Sequence, residues 1–165
     1  MTSRLALVAA AALALAGCRG RDITSLQRKE AASVSSEAAF AVELRDWKRA
    51  EGLYAKAADL CPDSGDYWMN LGVVRMHLGD RPGARTAYKS ALPAYEAEFE
   101  RDPANTQPVL RRAYVLVILG RAEEARSALD KARAKRPDDR RLRSFFENHG
   151  MDGMIADPGL KEISP

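Results

Sequence analysis

The chain has 165 residues, room for one domain with a single modest core. Its 26 basic and 23 acidic residues are mixed along the chain, so the formal charge of +3 forms no basic stripe and gives no reason to expect nucleic acid as a partner. Hydrophobic residues make up 46% and aromatics only 7%; much of the rest is Ala, which loses no side-chain entropy in a helix, and the composition points to an all-α fold.

Residues 1–17 read as an export leader. Arg4 supplies a positive start, and the run from Leu5 to Ala16 is apolar without a break. A membrane-spanning helix needs about 20 residues, so this run is too short to cross a bilayer. Leu15-Ala16-Gly17-Cys18 then resembles the bacterial lipobox, whose Cys is lipidated as the leader is removed. The resemblance implies lipid attachment at Cys18 through a diacylglycerol and an amide-linked acyl chain. Burial contributes about 0.8 kcal/mol per methylene, so several chains anchor where one would not. Arg19 stands where some enteric bacteria place the Asp that retains lipoproteins at the inner membrane. The expected location is therefore the outer membrane, facing the periplasm. Residues 18–30 are read as the lipidated Cys and a short tether, part of which is expected to belong to the first helix. With Cys18 lipidated, Cys61 has no partner for an internal disulfide, and before Pro62 it reads as a small apolar filler.

From residue 31 the chain repeats itself. Ala50, Tyr54 and Ala57 recur at one constant offset as Ala84, Tyr88 and Ala91, and at a second, longer offset as Ala125, Leu129 and Ala132. Ala38, Gly72 and Ala113 keep the same two offsets, as do Leu44, Leu78 and Leu119. A period of about 34 residues with small side chains at fixed places resembles the tetratricopeptide repeat (TPR). Trp68-x-x-Leu71-Gly72 followed by Ala84, Tyr88 and Ala91 is its fullest copy. The fold implied is an antiparallel helix-pair solenoid of about three repeats, at 31–64, 65–105 and 106–139. Gly72 is expected to face Ala84, since small side chains let helix axes approach, with Trp68, Leu71 and Tyr88 filling the surrounding gaps. Leu78-Gly79-Asp80 and Leu119-Gly120-Arg121 mark turns within pairs, and Asp102-Pro103 and Arg136-Pro137 end second helices. The middle repeat carries seven extra residues before Pro103. Seven residues are almost two turns, so Tyr88, Leu92, Tyr95 and Phe99 can continue one apolar stripe, with Pro93 expected to kink the extension. Residues 140–165 form a capping helix and tail, with Phe145 and Phe146 covering the end of the stack. Asp157-Pro158 before Leu160 and Ile163 predicts a short capped helix folded back on the last helices.

Signatures of catalysis are missing. There is no Gly-x-Ser-x-Gly, no His-Glu-x-x-His and no Gly-rich phosphate loop, and His77 and His149 have no Cys or His at metal spacing. No catalytic residue, cofactor or metal is expected. What the resemblance implies is protein binding by the first helices of the repeats. Carried over place by place, the groove would use Met69, Asn70, Val73, Met76, His77, Arg111 and Tyr114. Asn70 and Arg111 match two places of the clamp by which some relatives hold a C-terminal carboxylate, but Ser35, Ala39 and Gln107 fill its other places without a cation. Flexible Met and amphipathic Tyr suit an adaptable peptide surface. The chain is thus expected to be a membrane-anchored adaptor that holds a peptide or helix of another cell-envelope protein. A scaffold recruiting peptidoglycan enzymes and a self-associating structural lipoprotein are the alternatives.

Overall fold

The computed structural model describes residues 22–148 and 150–165. The leader, Cys18 and His149 lie outside the described residues. Those described form helices and turns only: α1 (Ser25–Glu43), α2 (Trp47–Leu60), α3 (Gly65–His77), α4 (Arg81–Arg101), α5 (Gln107–Ile118), α6 (Ala122–Lys135), α7 (Arg140–Glu147), α8 (Gly150–Ala156) and α9 (Pro158–Glu162). From α1 to α6 each helix packs on the next in the chain, giving three antiparallel pairs. This is an all-α helix-pair solenoid.

Local chemistry sets the ends. Helix α1 begins inside the stretch read as tether, because Thr24 and Gln27 form a reciprocal capping box there. The carboxylates of Asp46, Asp80 and Asp139 accept N–H bonds from the first turns of α2, α4 and α7. Within the pairs the turns share one pattern, in which the left-handed residue is Arg45 (φ 58°), Gly79 (φ 79°) or Gly120 (φ 75°). Each turn closes with a bond spanning five residues: Asp46 N–H to the Ala41 carbonyl, Asp80 to Arg75, and Arg121 to Leu116. Helix α4 runs unbroken through Pro93, which faces solvent.

Packing adds detail to one expectation. The space left by Gly72 is filled by the Tyr88 ring: a Cβ built on Gly72 would overlap that ring. Gly65, seven residues earlier, makes the same room for Tyr95, itself seven residues after Tyr88. Both rings are fully buried. The seven-residue extension of α4 thus repeats a Gly–Tyr contact two turns along. One core cluster, around Ala38, Ala41, Ala50, Tyr54, Leu71 and Val74, joins the first pair to α3. A second extends from Ala84 and Tyr88 through Ala113, Leu116 and Leu129 to Leu142, Met151 and Leu160. Trp68 packs against both, its indole N–H donating to the Pro62 carbonyl at 3.0 Å.

In the C-terminal helices Phe145 and Phe146 pack against the second core cluster, and Leu142 anchors α7 beside them. Leu142 is the fully buried residue of α7. Phe145 and Phe146 are only half-buried and meet edge to face at 5.4 Å, with Arg133 4.7 Å above the Phe146 ring. The chain beyond α7 turns back across α5.

Candidate partner-binding site

An open pocket of about 1010 Å³ lies where α3 and α5 face α7 and α8. Met69, Leu110, Arg111 and Tyr114 form one wall; Arg140, Arg141, Phe145 and Met154 contribute to the other, and Asp157 stands at the rim. With Arg111 paired to Asp66, Arg140 and Arg141 against Asp157 leave the pocket net positive, while Met, Leu, Tyr and Phe make much of its lining apolar. Burial pushes the Tyr114 hydroxyl above its ordinary range, and the nearby Asp157 carboxylate adds to the effect.

Asp66 ties the pocket to the core. Its Oδ1 accepts the Tyr95 hydroxyl at 2.6 Å and lies 3.3 Å from an Arg111 Nη1. Tyr95 also approaches the Met69 sulfur at 3.4 Å. Burial, followed by the neighbouring Asp66 charge, drives the Tyr95 phenol strongly upward, so it stays a neutral donor. Glu98, one turn along α4, accepts the Gly65 N–H at 2.8 Å and caps α3 in place of Ser64, which makes no side-chain cap bond. Arg111 therefore already has a carboxylate partner inside the molecule, in the place where a clamp would grip a partner's terminus.

The seven groove candidates divide. Met69, Arg111 and Tyr114 line the pocket; Asn70, Val73, Met76 and His77 are not part of its wall. Val73 and Met76 pack against the second core cluster. His77, at the exposed end of α3, stacks flat on Trp47 of α2, with ring centroids 4.1 Å apart and planes 10° apart. Asn70 is half-buried on α3. The far wall, Arg140, Arg141 and Met154, falls outside the sequence-based expectation, which draws only on first helices of repeats. Its one available signal is the Arg140-Arg141 pair opening a helix beside the stack.

A row of helix pairs around an apolar, cationic pocket defines a class of protein: a helical repeat scaffold whose chemistry is contact with other polypeptides. Two tetratricopeptide-repeat family models match the chain, over residues 41–98 and 86–145, so that together they reach across well over half of it. The chain belongs to the tetratricopeptide-repeat family, whose members typically mediate protein–protein interaction. No curated protein matches the chain. Among the described residues, no helix is long and apolar enough to cross a membrane.

Proposed function

We propose that the protein is a lipid-anchored adaptor of the bacterial cell envelope, which holds an acidic, partly apolar segment of another envelope protein in the pocket between α5 and α7–α8. The observation that carries this reading is the charge balance of the pocket, where, with Arg111 paired to Asp66, Arg140 and Arg141 stand against Asp157 beside apolar Met69, Leu110, Tyr114 and Phe145. Guanidiniums suit carboxylates because they offer paired parallel donors, and Met and Tyr adapt to varied apolar side chains. The lipobox-like Leu15-Ala16-Gly17-Cys18 supports the anchoring part of the reading, at the outer membrane and facing the periplasm. Helix α1 begins seven residues after Cys18, and a fully extended heptapeptide spans only about 25 Å, so the repeats work close to their membrane.

In-cell crosslinking followed by pulldown tests the reading. Wild type is compared with the Met69→Ala/Arg111→Ala/Tyr114→Ala variant, with helical content checked by circular dichroism. Capture of an envelope protein by wild type and its loss from the folded variant is the expected result; equal capture by both removes the pocket from the binding site. In parallel, Cys18→Ser is expected to leave the protein unprocessed or soluble, and a processed membrane-bound variant would sink the anchoring half.

A further inference from the structure

Beyond Asp157, which stands at the rim of the pocket, the chain runs on over α5 beside it. Leu160 is 3% exposed and joins the second core cluster, while α9 packs on α5. The Tyr88 hydroxyl donates to the Ile163 carbonyl at 3.0 Å, and an Arg85 Nη2 reaches the Pro165 carbonyl at 2.8 Å. Because the Tyr88 ring rests against Gly72, this bond brings the end of the tail beside α3 as well as α5. Residues 157–165 therefore extend from the rim of the pocket along α5 and toward α3, first helices of the kind expected to line the groove. They are built like a bound peptide: Asp157 caps a single turn of helix that presents Leu160 and Ile163 three residues apart.

The same segment is poorly equipped to hold itself. Helices α8 and α9 have seven and five residues, lengths that form no stable helix without docking. Gly150, Gly153 and Gly159 punctuate the stretch, and Gly150 takes a positive φ of 42°. Its direct side-chain bonds to α4 go to two carbonyl oxygens of the tail, which any peptide could supply.

We infer that residues 157–165 are a tethered ligand of the α3/α5 groove, displaced by a partner helix that carries two aliphatic residues three apart behind an acidic cap. The inference rests on the adaptor reading above and adds to it the pattern of the partner and a competitor it must exclude. A tethered segment acts at high effective concentration, so the free groove binds such helices more tightly than the intact chain does.

The test uses a synthetic peptide of residues 157–165, Asp-Pro-Gly-Leu-Lys-Glu-Ile-Ser-Pro. It is titrated by NMR into the wild-type full chain and into the full-chain Leu160→Asp/Ile163→Asp variant, whose tail cannot dock. The variant is expected to bind the peptide at least about tenfold more tightly than wild type, with shifts at Tyr88, Leu110 and Tyr114. A peptide carrying Leu160→Asp is expected to bind neither. Equal binding to both chains overturns the inference, as does no binding to a variant in which α3 to α6 keep wild-type hydrogen-exchange protection. Should the variant lose that protection, exchange in wild type decides: amides of 157–165 must exchange at least about tenfold faster than those of α4 and α6. A common rate would make the tail an inseparable cap and overturn the inference. A wild-type dimer that the two Asp substitutions dissolve would mean the tail serves a second copy, again overturning it. No cellular partner enters this titration, so it can succeed where pulldown fails and fail where pulldown succeeds.

Discussion

The first and middle helix pairs solve the same packing problem with an opposite choice of size at one of two places. In the middle pair, Gly65 and Gly72 receive the buried rings of Tyr95 and Tyr88. At the matching places of the first pair, one repeat period earlier, stand Ala31 and Ala38 against Cys61 and Tyr54. Cys61 is buried at the end of α2, where the helix stops after 14 residues, whereas α4 continues for 21 and brings Tyr95 to the same register. A small residue opposite a methyl and a ring opposite a bare Cα fill similar space. The exchange of size holds at this place alone: at the other both pairs keep a buried ring, Tyr54 and Tyr88, with Ala38 standing where the middle pair has Gly72. The contrast also shows what the longer α4 contributes. Tyr95 holds Asp66, Asp66 holds Arg111, and so the pocket wall is fixed from inside the middle pair.

The strongest way to break the comparison is to give the middle pair the thiol of the first. Tyr95→Cys removes a fully buried ring and is expected to cost about 3–4 kcal/mol, read by chemical denaturation. Gly65→Ala in the wild-type background should itself cost about 2 kcal/mol, since its Cβ overlaps the ring. In the Tyr95→Cys background the same change should instead stabilise by about 1 kcal/mol, because the methyl enters vacated space and the helix loses a Gly. That reversal of sign is the expected signature of a shared volume. Additive costs would mean that the two pairs are not variants of one packing solution.

A smaller contrast concerns Gly72 and Ala38 alone. Gly72→Ala drives a methyl into the buried Tyr88 ring and is expected to cost about 2–3 kcal/mol, because the ring is hemmed in by α3, α5 and the tail. Ala38→Gly, at the matching place, should cost about 1.5 kcal/mol, the ordinary loss for Gly inside a helix plus one methyl of burial. Comparable costs at the two sites would remove the asymmetry.

How much of this is readable in the sequence follows from the physics of each feature. The pairs are legible because their signal is periodic: Ala, Tyr and Leu recur at fixed offsets whatever surrounds them. The Gly65/Gly72 and Tyr88/Tyr95 spacings of seven are equally present, yet a repeat pattern read one period at a time does not pair Gly65 with Tyr95, which lies in the extension beyond the period. Met69, Arg111 and Tyr114 emerge as a group because all three sit on first helices. The wall from α7 and α8 does not, since nothing in a repeat period says where a non-repeat helix will dock. Leu142 escapes notice for the same reason, its single apolar side chain being less conspicuous than Phe145-Phe146. Arg111's internal partner, Asp66, does not follow from pairing rules within one helix, because the two residues come from adjacent repeats.

Electrostatics join the two pairs at Asp63, in the loop between them. Its carboxylate takes both Nη atoms of Arg28 from α1, at 2.7 and 3.2 Å, and Arg101 from the end of α4 at 3.2 Å. Burial pushes this carboxyl up, but bonds and charge from Arg28, then Arg101, outweigh it and hold the group below the usual range. A carboxylate held lower when folded contributes stability that is complete above its unfolded value of about 4 and is lost as pH falls through the folded value. Both arginines are about half exposed, so screening limits the gain. Asp63→Asn is expected to lower stability at pH 7 by less than about 1 kcal/mol, with the gap to wild type closing toward pH 3. A gap that persists in acid would assign the loss to the loop's shape instead of its charge.

The smallest expected effect lies at Arg45, where the first pair departs from the other two in backbone rather than side chain. Arg45, Gly79 and Gly120 all take the left-handed conformation, and all three donate their N–H to a carbonyl three residues back at 2.9–3.0 Å. A side chain in that conformation costs about 1–2 kcal/mol, because Cβ crowds the following carbonyl. Replacing it by Gly relieves that strain but enlarges the unfolded ensemble, returning about 0.5–1 kcal/mol of the gain. The terms oppose each other, and the strain is the larger. Arg45→Gly should therefore stabilise the chain by about 0.5 kcal/mol, while Gly79→Ala and Gly120→Ala should each destabilise it by about 1 kcal/mol. A thermal unfolding series on the three variants reads the signs directly. If Arg45→Gly instead destabilises, the arginine must hold its turn through its side chain, and the first pair would differ from its neighbours in chemistry as well as in size.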